Sequence, residues 1–414
     1  MFSFIRRGVL AILAGTTCFH PIAAAPLDWP RFRGQNGSGI SDAKLPETLT
    51  ADSFNWKIEL PGGGHSSPVI ANNRVFVTCN PSGAAKRVLV AVNAESGEVA
   101  WQREYETGAF RMHSDNSFAS ASPVVDEDRV YVCWMSPEIS GLVALNQKDG
   151  SEVWRKDLGP FASQHGPGAS PIVVDGKVIL EFDQDGPKSF LAAFDAATGA
   201  EKWRWEHPGG KASASTPCVY VPKKGASQVI TISNTLGMSA VDLGTGKLAW
   251  QLPELMPKRC VASPVVTPGG LVIAQCGEGQ AESFVQAVRV SDDGKSAAAA
   301  YEVRRTGGYV PTPLALGDLL FLWKENGLVT CLRAATNEQV WSERVQGPFY
   351  GSPVASGGRL YNMTRKGELV VVNAGDKFQE IVRVPLGEGS HATPAIAGGR
   401  MYLRTFTHLL SLGK

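Results

Sequence analysis

Charge is scarce in this chain. Only 19% of its 414 residues are charged and the net charge is +1. No long basic run occurs, which removes the electrostatic case for a nucleic-acid partner. Seven cysteines are scattered singly. Without a CxxC pair or zinc-like spacing, a thiolate metal site is excluded. The sequence also lacks GxSxG, HExxH and GxxxxGK[ST], so hydrolase and nucleotide-binding readings have no local motif to stand on. The one long apolar stretch, near the start, is too short to span a membrane and stay there.

That stretch has the layout of a secretory leader. Arg6 and Arg7 precede an apolar run to about Phe19, and small residues follow at Ala23, Ala24 and Ala25. Pro26 disfavours cleavage after Ala25, which points to Ala24 or nearby, so a signal peptide is expected over residues 1–25. Cys18 follows Gly15-Thr16-Thr17, a poor lipobox, so export without an anchor is expected.

Glycine and proline are abundant instead, at 45 and 26 residues. Many of them mark a repeat. One signature reads LAAFDAATGAEKW at 191–203, with variants at 89–101, 142–154 and 238–250. A second, such as ASPIV at 169–173, recurs eight times around Pro68, Pro123, Pro171, Pro217, Pro264, Pro313, Pro353 and Pro394. Spacing of this kind signals a repeat architecture.

Each copy decodes as four strands. In the third, ASPIVV turns through DGK into VILEF, then LAAFD, the turn AATG, and EKWRWE. Proline suits an edge strand because it cannot donate to the ladder. The middle strands are apolar almost continuously, a pattern that needs cover on both faces. Small sheets packed around an axis meet that need, which predicts an all-β, eight-bladed β-propeller of four-stranded antiparallel blades. Tryptophans 56, 101, 154, 203, 250 and 341 are expected to wedge outer strands against neighbouring sheets. The eighth copy stops after its third strand, and FNWKIEL at 54–60 supplies the fourth, closing the ring. The fifth copy lacks the tryptophan and the seventh has Ile381 in its place, so looser outer edges are expected there. Residues 26–53 form an irregular segment packed on the propeller of 54–414, with Trp29 and Phe32 as surface clamps rather than ligand contacts.

From Ala193 through Asp195, Thr198 and Gly199 to Trp203, the repeat resembles A-x-D-x-x-T-G-x-x-x-W of the pyrroloquinoline quinone (PQQ) propeller family. DWPRFRGQNGSGIS at 28–41 is similar to the opening of secreted PQQ-like propellers from planctomycetes and their relatives. The resemblance covers about residues 54–414 and implies the fold. It also spans two activities. Quinoprotein dehydrogenases of this family carry calcium-ligand loops, a catalytic Asp and often a disulfide between adjacent cysteines. None of these is identifiable here, so no cofactor is expected and PQQ is the alternative. The barrel-assembly propeller lipoprotein, of similar length, is a scaffold that contacts other proteins.

Histidines are the remaining signal. His65, His113, His165, His207 and His391 fall in connections from an outer strand to the next inner strand, which open on one face around the channel mouth. His65 and His391 stand three residues before their prolines, with Tyr350 in the same register. The three are candidates for one sector of the mouth. Clustered imidazoles hold metals or move protons, while isolated surface ones point to water. A three-histidine zinc site would need His113 or His165 as well. Glu181, Asp183 and Asp185 in EFDQDGPKS read as a solvated acidic turn rather than a calcium loop. Cys260 and Cys276 flank one hairpin, and both a disulfide and two buried thiols remain open.

These readings predict a monomeric, exported, non-catalytic module of the periplasm or extracellular space, binding protein, peptide or glycan on its loop-rich face. The alternatives are a divergent quinoprotein oxidoreductase and a metal-dependent activity at the mouth histidines.

Overall fold

Strands whose side chains are apolar on both faces fold only where both faces find cover. In the second strand of the third blade, Lys177–Phe182, five consecutive residues are buried. The computed structural model describes residue 1 and residues 29–81, 86–108, 110–279 and 282–413. Apart from Met1, the expected leader lies outside the described residues. The described strands form eight four-stranded sheets, each antiparallel, arranged as the blades of a propeller. The third blade shows the pattern: Ile172–Val174, Lys177–Phe182, Ser189–Asp195 and Glu201–His207.

The eighth blade joins the two ends of the propeller. Phe54–Glu59 pairs with His408–Gly413, and Trp56 stands opposite Ser411. A second closure runs around the axis. The residue before each inner-strand proline is Ser or Thr, and its backbone N–H donates to the hydroxyl of its counterpart in the next blade. Ser67 donates to Ser122, Ser122 to Ser170, Ser170 to Thr216 and Thr216 to Ser263. Ser263 donates to Thr312, Thr312 to Ser352, Ser352 to Thr393, and Thr393 back to Ser67. All eight bonds span 2.8–3.1 Å. An N–H facing the channel would otherwise be a buried donor without a partner, so the recurring Ser/Thr-Pro pair serves both ring and strand edge.

Outer strands lock differently. The Trp101 indole lies flat on Gly150 of the next blade, where an added Cβ would come within 2.6 Å of the ring. Its Nε1 donates to the Gln147 carbonyl at 2.9 Å. Trp56 on Gly97, Trp154 on Gly199 and Trp203 on Gly246 repeat the arrangement. The glycine is thus needed twice, for its positive φ and for the neighbour's ring.

This seam corrects two expectations about irregular blades. In the fifth, Tyr301 pairs with Ala287 in the tryptophan register, and its hydroxyl donates to Ala334 at 2.8 Å. The facing turn has Asn337 at positive φ where glycine usually stands, so the smaller ring fits. Its outer strand, Ala297–Arg304, is paired along its length apart from the bulge at Ala300, rather than loose. In the seventh blade the turn after Asn373 is one residue longer than in the tryptophan blades, so Val382, not Ile381, holds the tryptophan position opposite Val371, and Ile381 falls at the bulge the blades share. The eighth blade has no turn between its last two strands because the two chain segments meet there, and a tryptophan would have nothing to cover.

Residues 29–41 cross one end of the channel. Trp29 is buried and pairs with Ile70, as a clamp should. Arg31 donates to the Pro217 carbonyl at 2.6 Å, and Arg33 to those of Thr312 and Pro313 at 3.0 and 2.9 Å. Ala355 donates to Gly39, and Ser41 Oγ to Ile396. One short segment therefore ties the first, fourth, sixth, seventh and eighth blades and closes that end.

Candidate functional site

Above the hydroxyl ring lies a cavity of about 650 Å³, in the range of small-ligand sites. The eight ring residues form its walls, and Phe32 reaches it from the closing segment. Phe32, from the segment expected to clamp onto the propeller, thus also lines the cavity. The cavity opens where the connections between blades meet.

One sector gathers the residues singled out in the sequence. The His65 and His391 rings lie 4.4 Å apart, and Tyr350 packs 4.6 Å from His391. Arg365 Nε donates to His391 Nε2 at 2.9 Å. That bond requires an unprotonated Nε2, so Nδ1 carries the proton and faces the Asp115 carbonyl at 3.3 Å. The Asp115 carboxylate accepts from Arg365 at 2.5 Å and from the Tyr350 hydroxyl at 2.9 Å. Asp115 comes from the connection after the first blade, which crosses the mouth as a strap to reach the seventh.

Electrostatics keep this sector closed on itself. Burial, then His391 and Arg404, pull the His65 pKa down to about 3. Burial and the Arg365 guanidinium lower that of His391 to about 4. Burial pushes Asp115 up, but Tyr350 and Arg365 outweigh it and leave the carboxylate below its ordinary value. Tyr350 is raised to about 12 by burial and by Asp115.

His113 and His165 form a second pair, stacked at 5.2 Å and 10°. His113 Nδ1 accepts the Asp115 N–H at 3.2 Å. Among the described residues, no three His, Cys, Asp or Glu side chains converge as metal ligands. His207 departs from expectation. It ends the outer strand of the third blade, with Nε2 3.0 Å from Glu181 and both side chains buried. Glu181 also takes the Thr231 hydroxyl at 2.5 Å, and Asp183 accepts the Ser213 N–H. Glu181 and Asp183 are therefore buried structural acids, not a solvated turn. Burial and the neighbouring Glu181 raise Asp183 to about 7. Cys260 and Cys276 are free and buried, on segments joined by the Arg259–Gly277 bridge.

The opposite side of the mouth holds what the sequence reading missed. Arg259 precedes the fifth blade, is 8% exposed and lines the cavity without a side-chain hydrogen bond or ion pair among the described residues. Glu278 lies in its field but is held by Lys258 at 3.0 Å and Lys211 at 3.8 Å. Glu325 Oε1 accepts the Tyr309 and Val310 N–H groups at 2.6 and 2.5 Å, while its buried Oε2 has no partner among the described residues. Burial raises the Glu325 pKa, and that of Tyr309 reaches about 12. The His165 Nδ1 is also buried and unpartnered. Extending the search from histidines to every residue three to five places before a proline would have included Arg259 and Tyr309; Glu325, in a hairpin turn, carries no such signal.

A family model described as outer membrane protein assembly factor BamB matches residues 51–132, 109–291 and 281–403. The chain belongs to this family. PQQ-type propellers are also its structural relatives. Quinohemoprotein alcohol dehydrogenase from Comamonas testosteroni superposes with a TM-score of 0.68 at 15% identity, over 94% of this chain and 81% of that one. BamB from Moraxella catarrhalis gives 0.62 at 16%, over 89% and 98%. In sequence, quinohemoprotein alcohol dehydrogenase ADH-IIG of Pseudomonas putida is 24% identical over 51% of this chain, and the match spans 28% of that enzyme's length. BamB of Shewanella oneidensis is 25% identical over 60% of this chain and 61% of its own. No helix among the described residues is long and apolar enough to cross a membrane.

The relatives thus include proteins named quinohemoprotein alcohol dehydrogenases and proteins named outer membrane assembly factors. A tricarboxylate such as PQQ needs several converging cations. Of the cations lining this cavity, Arg365 is closed on Asp115 and Lys211 is shared with Glu278, which leaves Arg259 alone. The mouth residues do not fit that group.

Proposed function

We propose that the protein is an exported, non-catalytic binding module that seats the carboxylate end of a peptide or protein chain in its mouth cavity. The observation that carries this reading is Arg259, a residue 8% exposed that lines a cavity large enough for a ligand and makes no side-chain hydrogen bond or ion pair among the described residues. A carboxylate satisfies it with charge-assisted hydrogen bonds, whereas an uncharged glycan leaves it unpaired. Tyr309, kept protonated, stands beside it as a further donor. Phe32 and the closing segment make the cavity blind, which favours a chain end over a strand threaded through. The family description, an outer membrane assembly factor, supports a protein partner and a place outside the cytoplasm. The module works as a monomer.

The test is fluorescence polarisation with peptide pools carrying either free or amidated C-termini. Free-acid peptides are expected to bind and amidated ones to fail. Equal binding of both would overturn the carboxylate reading. A saturable PQQ absorbance change with dye-coupled alcohol oxidation would replace the module with an oxidoreductase.

A further inference from the structure

Arg87 is a second buried cation, unrelated to the mouth cavity's Arg259. It lies in the third strand of the first blade, Lys86–Asn93, and is 4% exposed. Its Nη1 donates to Thr107 Oγ1 at 3.1 Å and weakly to the Lys86 carbonyl at 3.4 Å. Its Nε and Nη2 are buried with no acceptor among the described residues. The Phe118 ring sits 4.7 Å from the guanidinium carbon. Facing it from the second blade is Trp134, 6% exposed, whose Nε1 is likewise buried and unpartnered. Arg87, Phe118 and Trp134 line one small cavity of about 10 Å³. That is close to the room a single water-sized particle needs.

The lining includes no Asp or Glu. Burial alone, with no neighbouring carboxylate, pulls the Arg87 pKa to about 9. A buried charge without a counter-charge is costly, and a neutral water leaves most of that cost in place. Three donor nitrogens unpartnered among the described residues, and a lining without a carboxylate, define the chemistry of the missing partner. It is small, monovalent and negative.

We propose that the cavity between the first and second blades binds a halide, chloride under ordinary conditions, held by Arg87 Nε and Nη2 and by Trp134 Nε1. The consequence reaches the mouth. Thr107 and Phe118 are the two roots of the strap that carries Asp115, and both rest on Arg87. The halide therefore fixes the strap at its base.

The experiment uses the mature chain in gluconate buffer, titrated with sodium chloride or bromide at constant ionic strength. A saturable rise in Tm is expected with either halide, together with slower amide exchange across 107–121. Crystals soaked in bromide are expected to show an anomalous peak between Arg87 and Trp134. Arg87→Met should abolish the halide response, and Trp134→Phe should weaken it several-fold while keeping the fold. A halide-independent Tm in the wild type with no bromide peak would overturn the proposal, as would an undiminished response in Arg87→Met.

Discussion

The two sides of the channel mouth answer their polar groups in opposite ways. On the side of the seventh, eighth and first blades, Arg365, Asp115, Tyr350 and His391 consume one another's donors and acceptors. On the facing side, Glu325 Oε2 and His165 Nδ1 are buried without partners among the described residues, and Arg259 lines the cavity without a side-chain hydrogen bond or ion pair among them. A closed network holds a loop in place. An open one leaves donors and acceptors unspent. Side-chain identity alone does not separate the two, since the closed side carries the residue types usually sought in an active site.

The largest effect expected from breaking this contrast falls on the open side. Arg259→Gln should weaken free-acid peptide binding about 100-fold, the ~2.7 kcal/mol of a charge-assisted contact, with Tm nearly unchanged. Titration of labelled peptide into both proteins measures it. Next comes the closed side, where Asp115→Asn should cost ~1 kcal/mol of stability, discounted for its partial exposure. Urea unfolding reads that loss, and amide exchange should quicken across 107–121 while peptide affinity holds.

Acidity sharpens the comparison further. His65 and His391 titrate near 3 and 4 in the folded chain, below the ordinary 6.5, so the unfolded chain binds more protons between those values. Their contribution to stability is present above pH 6.5 and lost as pH falls toward 4. His207 runs the other way. Burial lowers its pKa, but Glu181 outweighs burial and the net shift is upward. Its contribution is full below pH 6.5 and disappears as pH rises through the folded value. Imidazole NMR should show His391 neutral at pH 5.5 while His207 remains protonated. The smallest effect belongs to His113→Ala, an exposed stacking partner, for which urea unfolding should show a stability change within ~0.5 kcal/mol.

Much of this architecture was legible because it repeats. Eight Ser/Thr-Pro pairs and the Trp–Gly seam each obey a local rule set by strand edges, turns and ring size. The pairing of His65 with His391 followed from that register. What failed were inferences about single positions. Val382 took the place expected of Ile381 because its turn is one residue longer, and Tyr301 fills the tryptophan register by bonding Ala334 of the next blade, which only packing brings near. Glu181 and Asp183 looked solvated because sequence spacing does not reveal the neighbouring blade that covers them.

Sequence by itself determined the count of blades, their order and the place where the two ends of the propeller meet, because each follows from patterns confined to some forty or fifty residues. Tertiary structure decided which polar groups around the axis are spent and which are free. Asp115 and Arg365 are 250 residues apart in the chain, and only the closed ring brings them to 2.5 Å.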